Sequence, residues 1–194
     1  PGATPEMDIA MYHVLFDDPD LRPDMIKIYP CSVVPMSELY DWYKRGDFIP
    51  YPDEDLYRVL KTAKRLTPRY CRISRLIRDI PSTSITAGNK ITNLREILQK
   101  EMKQEGSECV CLRCREFGRQ IKLHPNLAEQ NPQLFIDEYT ASAGKEFFLS
   151  YEDENRYAVY AFARLRLPSS QNEKIIALLP EIKNSAFIRE LHTY

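Results

Sequence analysis

The sequence predicts an α/β chain in two textures, with helices alternating with short strands up to about residue 132 and a succession of strands after it. Three observations carry this expectation. Apolar residues recur at helical spacing in several segments separated by β-prone runs. The connections between them are short, as in parallel βα units. After residue 132, aromatic and β-branched runs alternate with tight-turn chemistry, which reads as an antiparallel sheet. The glycine-rich signature of doubly wound dinucleotide folds is missing, so a barrel segment is favoured for the first part.

Thr4 can cap a helix over Pro5 to Asp18, with Pro5 in its first turn and Ile9, Met11, Tyr12, Leu15 and Phe16 at helical spacing. Met25 to Tyr29 is a short strand ended by Pro30. Ser37 to Arg45 and Pro52 to Arg65 read as helices, the second with Leu56, Tyr57, Val59 and Leu60 on its apolar face. Tyr70 to Ile80 reads as a strand before Pro81. Asn93 to Glu105 is strongly amphipathic through Leu94, Ile97, Leu98 and Met102, with Gly106 able to end it. Pro125 to Pro132 is a polar connection. Strands follow over Leu134 to Thr140, Lys145 to Tyr151, Arg156 to Leu167 and Phe187 to Tyr194, separated by Ser-Ala-Gly, Glu-Asp-Glu-Asn and Pro-Ser-Ser.

The 194 residues carry a formal charge of -1, so no whole-chain field draws in nucleic acid and any attraction must be local. No apolar run reaches about eighteen residues, and the start lacks a signal-peptide pattern. A soluble, cytoplasmic protein with no membrane partner is expected. The chain opens on Pro1-Gly2 without an initiator Met and closes on LHTY, so an internal piece of a longer protein is expected.

Three of five cysteines crowd into CVCLRC as Cys109, Cys111 and Cys114, too close for a disulfide framework. Alternate residues of an extended chain place Cys109 and Cys111 on one side. The two-residue spacer between Cys111 and Cys114 is that of zinc knuckles, so three zinc ligands can be local. A structural site needs a fourth, for which Cys31, Cys71 and His124 are candidates and Cys31 is favoured. Arg113 and Arg115 would favour thiolates. The competing readings are three reduced thiols on a strand and turn, or an iron-sulfur cluster.

Basic residues also cluster, from Lys61 through Lys64, Arg65, Arg69, Arg72 and Arg75 to Arg78, and around the cysteines in Arg113, Arg115, Arg119 and Lys122. Two such patches suit a phosphate-binding groove, though a solvated face and neighbouring carboxylates explain them as well. On a strand, Arg72 and Arg78 would share one face and Arg75 the other, with Asp79 a competing internal partner for the arginines. His13, His124 and His192 lie apart and read as structural or solvent-facing rather than catalytic. No Ser-His-Asp arrangement, Walker loop or HExxH helix is present.

Several segments in order, PGATPEMD, RPDMIKIYPC, LYDWYKRGDFIPY, RISRLIRDIP, NLREILQKEMKQEG, CVCLRCREFG, EYTASAGKEFFLSYED, FARLRLP and IRELHTY, resemble the archaeal and bacterial Elongator catalytic-subunit family across nearly the whole chain. That family joins a radical S-adenosylmethionine (SAM) domain to an acetyltransferase-like (GNAT) domain and modifies C5 of the tRNA wobble uridine. The resemblance implies that residues 1–105 are later βα units of the radical SAM partial barrel, 106–131 a zinc-binding connector, and 132–194 the first strands of the α+β acetyltransferase-like domain.

The same resemblance implies zinc at Cys109, Cys111 and Cys114. It implies tRNA contact near Arg72, Arg75, Arg78, Arg113, Arg115 and Arg119, and acetyl-CoA beside Glu190 and Leu191. For the intact enzyme it implies a 4Fe-4S cluster, SAM, acetyl-CoA and a tRNA anticodon stem-loop, and it leaves room for a homodimer. The sequence departs from the pattern in having no three-cysteine cluster motif and no glycine-rich pyrophosphate loop, and in carrying Ser74 and Ile77 where the family commonly has glutamines. The chain alone is therefore expected to be inactive. A noncatalytic zinc-stabilised RNA-binding module and a protein lysine acetyltransferase are the other classes the residues admit.

Overall fold

A computed structural model describes residues 2–169 and 173–194. Its elements are α1 Pro5–Asp17, β1 Met25–Lys27, α2 Glu38–Arg45, α3 Asp53–Leu66, β2 Arg72–Arg75, α4 Leu94–Gln104, α5 Phe117–Gln120, β3 Gln133–Ala141, β4 Gly144–Glu152, β5 Val159–Leu167, α6 Glu173–Leu178 and β6 Phe187–Thr193. They divide into two compact units, Pro1–Leu15 with Asp24–Cys111 and Phe16–Pro23 with Leu112–Tyr194. Among the described residues, no helix is long and apolar enough to cross a membrane.

In the first unit, β1 and β2 pair in parallel with α2 and α3 between them, as short-connected βα units require. Local chemistry sets the helix ends. Thr4 Oγ1 accepts the Met7 amide at 3.3 Å, and Ser37 Oγ accepts that of Tyr40 at 3.2 Å. Beyond α4, Gly106 takes φ 69°, and the amides of Gly106 and Ser107 close on the carbonyls of Lys103 and Met102, a Schellman stop. The apolar stripes face inward: Leu56, Val59, Leu60 and Ala63 of α3 and Leu94, Leu98 and Met102 of α4 are buried, and the two helices touch.

The strand expected over Tyr70 to Ile80 is four residues long. Its parallel partner offers only three, and register slips so that Ile26 faces Ile73 while Lys27 faces Arg75, leaving Ser74 extra. Arg78 therefore lies beyond the strand, and the shared face expected for Arg72 and Arg78 does not exist.

The second unit carries an antiparallel sheet in the order β3-β4-β5-β6, as the strand spacing and turn residues anticipate. Ser142 and Ala143 make the β3–β4 turn with both φ positive, at 47° and 58°, the backbone of a two-residue hairpin. Arg166 Nη1 donates to the Ala141 carbonyl at 2.9 Å and its Nη2 to that of Ser142 at 2.8 Å, holding the strained corner. β5 starts at Val159 rather than Arg156, because Asp153 Oδ1 takes the Ala158 amide at 2.6 Å and Arg156 turns to φ 60°. Ser170, the last residue of the third expected turn, lies outside the described residues. The short helices α5 and α6 have no counterpart among the expected elements.

The buried face of this sheet carries charged groups. Glu146, Phe148, Ser150 and Glu152 of β4 and Phe162 and Arg164 of β5 are enclosed, while Leu134, Ile136, Tyr151, Ile188 and Leu191 are exposed. Enclosed charges need partners, and here each carboxylate has arginines. Glu146 accepts from Arg166 at 2.5 Å and from Arg189 at 2.7 Å. Arg164 lies over the paired rings of Phe148 and Phe162, 5.2 and 5.4 Å from their centres, and reaches Glu190 at 2.7 Å.

Candidate metal centre

The thiol sulfurs of Cys109, Cys111 and Cys114 lie within 4.8 Å of one another on a single six-residue run. Cys111 and Cys114 are buried and Cys109 is half-buried. A tetrahedral zinc with Zn–S bonds of about 2.3 Å sets thiolates about 3.8 Å apart. The observed separations are within about 1 Å of that spacing, so the donor set suits a thiophilic ion. Cys31 is not part of this group. It is exposed and lines a cavity of about 520 Å³ in the first unit, and Cys71 is buried in the core. The ring of His124 stacks on Tyr157 at 5.8 Å.

The chain after the cysteines is pinned to β5 and β4. The Arg115 carbonyl accepts the Val159 amide at 2.6 Å, and Glu116 bridges Val159 in parallel. Phe117 packs on Tyr160 at 4.6 Å between ring centres, and the Tyr160 hydroxyl donates to the Leu127 carbonyl at 2.7 Å. Gln120 Nε2 donates to the Cys114 carbonyl at 2.8 Å. The side chain of Arg115 turns inward to Glu152 at 2.7 Å.

Arg115 corrects the sequence expectation. It is 3% exposed, so its guanidinium cannot reach a phosphate and is committed to Glu152. Burial pushes the Glu152 carboxyl up, but the hydrogen bond from Arg156, the charge of Arg115 and the Ser150 hydroxyl outweigh it, and the carboxyl sits below its ordinary range. Arg156 continues the chain of charges to Asp137 at 2.6 Å and covers the Phe135 ring. Arg113 and Arg119 share Glu116, at 2.8 and 3.4 Å, and remain accessible. Neither Glu152 nor Gln120 stood out in the sequence: an acid in a Glu-Asp-Glu-Asn turn reads as solvated, and a short helix gives no periodic signal.

The basic run from Lys61 to Arg78 is largely spent within the first unit. Lys61 bonds Glu105 at 2.6 Å and approaches Glu101 at 3.3 Å, Arg65 bonds Glu105 at 2.5 Å, and Lys64 is fully enclosed. Arg75 pairs with Asp79, the competitor expected from sequence, and Arg78 lies over the Tyr29 ring at 5.6 Å. Arg72 is half-buried. The three strand arginines thus do not form one cationic face.

The 520 Å³ cavity opens beyond the end of β1, among Tyr12, Lys27, Tyr29, Tyr51, Phe48 and Asn89. Burial, and the nearby Asp8 carboxylate, push the Tyr12 hydroxyl up to about 12. Burial and a hydrogen bond to Asp8 at 3.1 Å do the same for Tyr51, also to about 12. Glu190 and Leu191 stand on β6 at the sheet edge, Glu190 half taken by Arg164 and Leu191 open.

Residues 23–104 match the model of the Radical_SAM C-terminal domain. The chain is 41% identical over 99% of its length to a tRNA uridine(34) acetyltransferase of Methanocaldococcus jannaschii, and 34% identical over its full length to Elongator complex protein 3 of Danio rerio. It spans about a third of the length of these curated relatives, 35% and 34%. A solved structure of Methanocaldococcus infernus Elp3 with an N-terminal deletion superposes at a TM-score of 0.87 and 41% identity, over all of this chain and 45% of that one. With a matching domain, a matching fold and this identity from end to end, the chain belongs to the family of the tRNA uridine(34) acetyltransferases and Elongator complex protein 3.

Proposed function

We propose that this chain is the middle of a tRNA wobble-uridine-modifying acyltransferase. The observation that carries the reading is sequence identity of 38–41% along the chain's whole length to proteins named for that activity. Residues 1–105 are the later units of the radical SAM barrel, 106–131 the connector, and 132–194 the opening strands of the acetyl-CoA domain. Cys109, Cys111 and Cys114 hold a structural zinc, whose role is to staple a loop too short for a core of its own. Outside the chain, the intact protein adds a 4Fe-4S cluster and SAM to supply a radical, and acetyl-CoA to supply the acyl group. The protein works in the cytoplasm.

The cavity lined by Tyr12, Tyr29 and Tyr51, with Lys27 at its edge, suits a flat nucleoside group stacked on rings. The exposed arginines Arg75, Arg78 and Arg119 provide phosphate contacts for the anticodon stem-loop, with half-buried Arg113 and Arg72 less available. Acetyl-CoA runs beside β6 at Glu190 and Leu191. Two measurements test this. Elemental analysis of the reduced chain is expected to give about one zinc per chain, lost when the three cysteines become serine; absence of metal removes the connector assignment. Binding of an anticodon stem-loop across salt concentrations is expected to lose about one unit of log–log slope for each phosphate-contacting arginine changed to Ala. An unchanged slope would favour a protein substrate over RNA.

A further inference from the structure

Metal affinity depends on how firmly the backbone presents each ligand, and partners behind the ligands change it by about 10–100-fold. Cys109 and Cys111 precede the turn of residues 112–114, whereas Cys114 lies within that turn and depends on its neighbours for placement. Three contacts converge on it. Gln120 Nε2 holds its own carbonyl at 2.8 Å, the next carbonyl, of Arg115, is held by the Val159 amide at 2.6 Å, and the Arg115 side chain is held by fully enclosed Glu152 at 2.7 Å. Glu152 is itself fixed by Ser150 at 2.6 Å and Arg156 at 3.1 Å. This carboxylate cannot turn to solvent, so the peptide that follows Cys114 is anchored at both its side chain and its backbone.

We propose that Gln120 and the Glu152–Arg115 pair are positioning residues for the metal centre, which fix Cys114 in its ligating geometry without touching the ion. The proposal rests on the zinc reading above. None of the three offers a ligand: Gln120 donates only to a carbonyl, and Glu152 is saturated by Arg115, Arg156 and Ser150. The effect is on pre-organisation. With Gln120 shortened or Glu152 neutralised, the turn samples conformations in which the third thiolate has swung away, and the ion leaves from a two-thiolate state.

The test is the rate of zinc release from the 194-residue chain to a chromophoric chelator, with circular dichroism and thermal midpoint measured on the same samples. Gln120→Ala, in a half-exposed side chain whose loss should leave the fold intact, is expected to release zinc about 10–100-fold faster than the unaltered chain at an unchanged spectrum. Glu152→Gln is expected to act in the same direction, and Arg22→Ala is the stability control, since Arg22 ties the Thr140 carbonyl at 2.8 Å away from the cysteines. Unchanged release from both Gln120→Ala and Glu152→Gln overturns the proposal. So does equally fast release from Arg22→Ala at a matched loss of midpoint, because that effect would be global stability. Zinc absent from the unaltered chain overturns the metal reading itself, and the stoichiometry distinguishes that outcome from the other two.

Discussion

Replacing Glu146 by Gln should separate the charge of a buried carboxylate from its shape. Glu146 is 2% exposed near the hairpin end of the interior strand β4, and its two oxygens receive Arg166 of β5 at 2.5 Å and Arg189 of β6 at 2.7 and 3.1 Å. Each hydrogen bond to a charged group contributes about 1.5–3 kcal/mol, against about 1 kcal/mol for a neutral one. Neutralising an acceptor shared by two guanidiniums should therefore cost about 1–4 kcal/mol. The arginine side chains retain 23% and 29% exposure, so water takes over part of the loss, and about 2 kcal/mol is expected. For a domain of about 60–100 residues this lowers the midpoint by about 8–16 °C.

Thermal and urea unfolding followed by circular dichroism would measure it, because the only tryptophan, Trp42, lies in the other unit. The deficit should persist in high salt, as screening weakens enclosed pairs little. Amide exchange should quicken on β6, where Arg189 is the extra residue of a bulge between the Arg164–Glu190 and Leu165–Ile188 pairs. A change within about 0.5 kcal/mol, the ordinary range for surface substitutions, would show that the arginines hold the strands without this carboxylate.

Leu98→Ala should destabilise the first unit by about 2–5 kcal/mol in urea titration, since Leu98 is fully enclosed on α4. Ala143→Gly should stabilise the hairpin by about 0.5–1 kcal/mol: φ 58° costs a non-glycine residue about 1–2 kcal/mol, and the freer unfolded glycine returns about half of that. The Glu152 carboxyl is held below its ordinary 4.5, so its stabilisation is present above that pH and is lost as pH falls through its folded value. Urea titrations between about pH 6 and 3 should accordingly show a shallower acid loss in Glu152→Gln than in the unaltered chain. Tyr12 and Tyr51 should ionise only near pH 12, read as a late phenolate absorbance step that moves to lower pH in urea.

What could be read from sequence was whatever a few neighbouring residues encode together. Thr4 before Pro5, the Leu94-Leu98-Met102 stripe ending at Gly106, and the two-residue spacing within CVCLRC each specify local geometry on their own, because caps, helical faces and knuckle turns are built from contacts three or four residues apart. The strands of the antiparallel sheet were legible for the same reason, through alternation and turn residues.

Tertiary structure alone decided the fate of the charges. An arginine looks the same in sequence whether a phosphate or a carboxylate awaits it, and only strand register and loop course set Arg115 against Glu152, Arg65 against Glu105, and Arg166 and Arg189 against Glu146. The length of β2 was hidden likewise, since a strand extends only as far as its partner, and β1 ends at Lys27. The thiol triad is thus a property of its own six residues. The firmness with which Cys114 is held belongs to β4 and β5, distant in sequence and adjacent only after folding, because pairing energies between charges depend on distance and burial that no local pattern encodes.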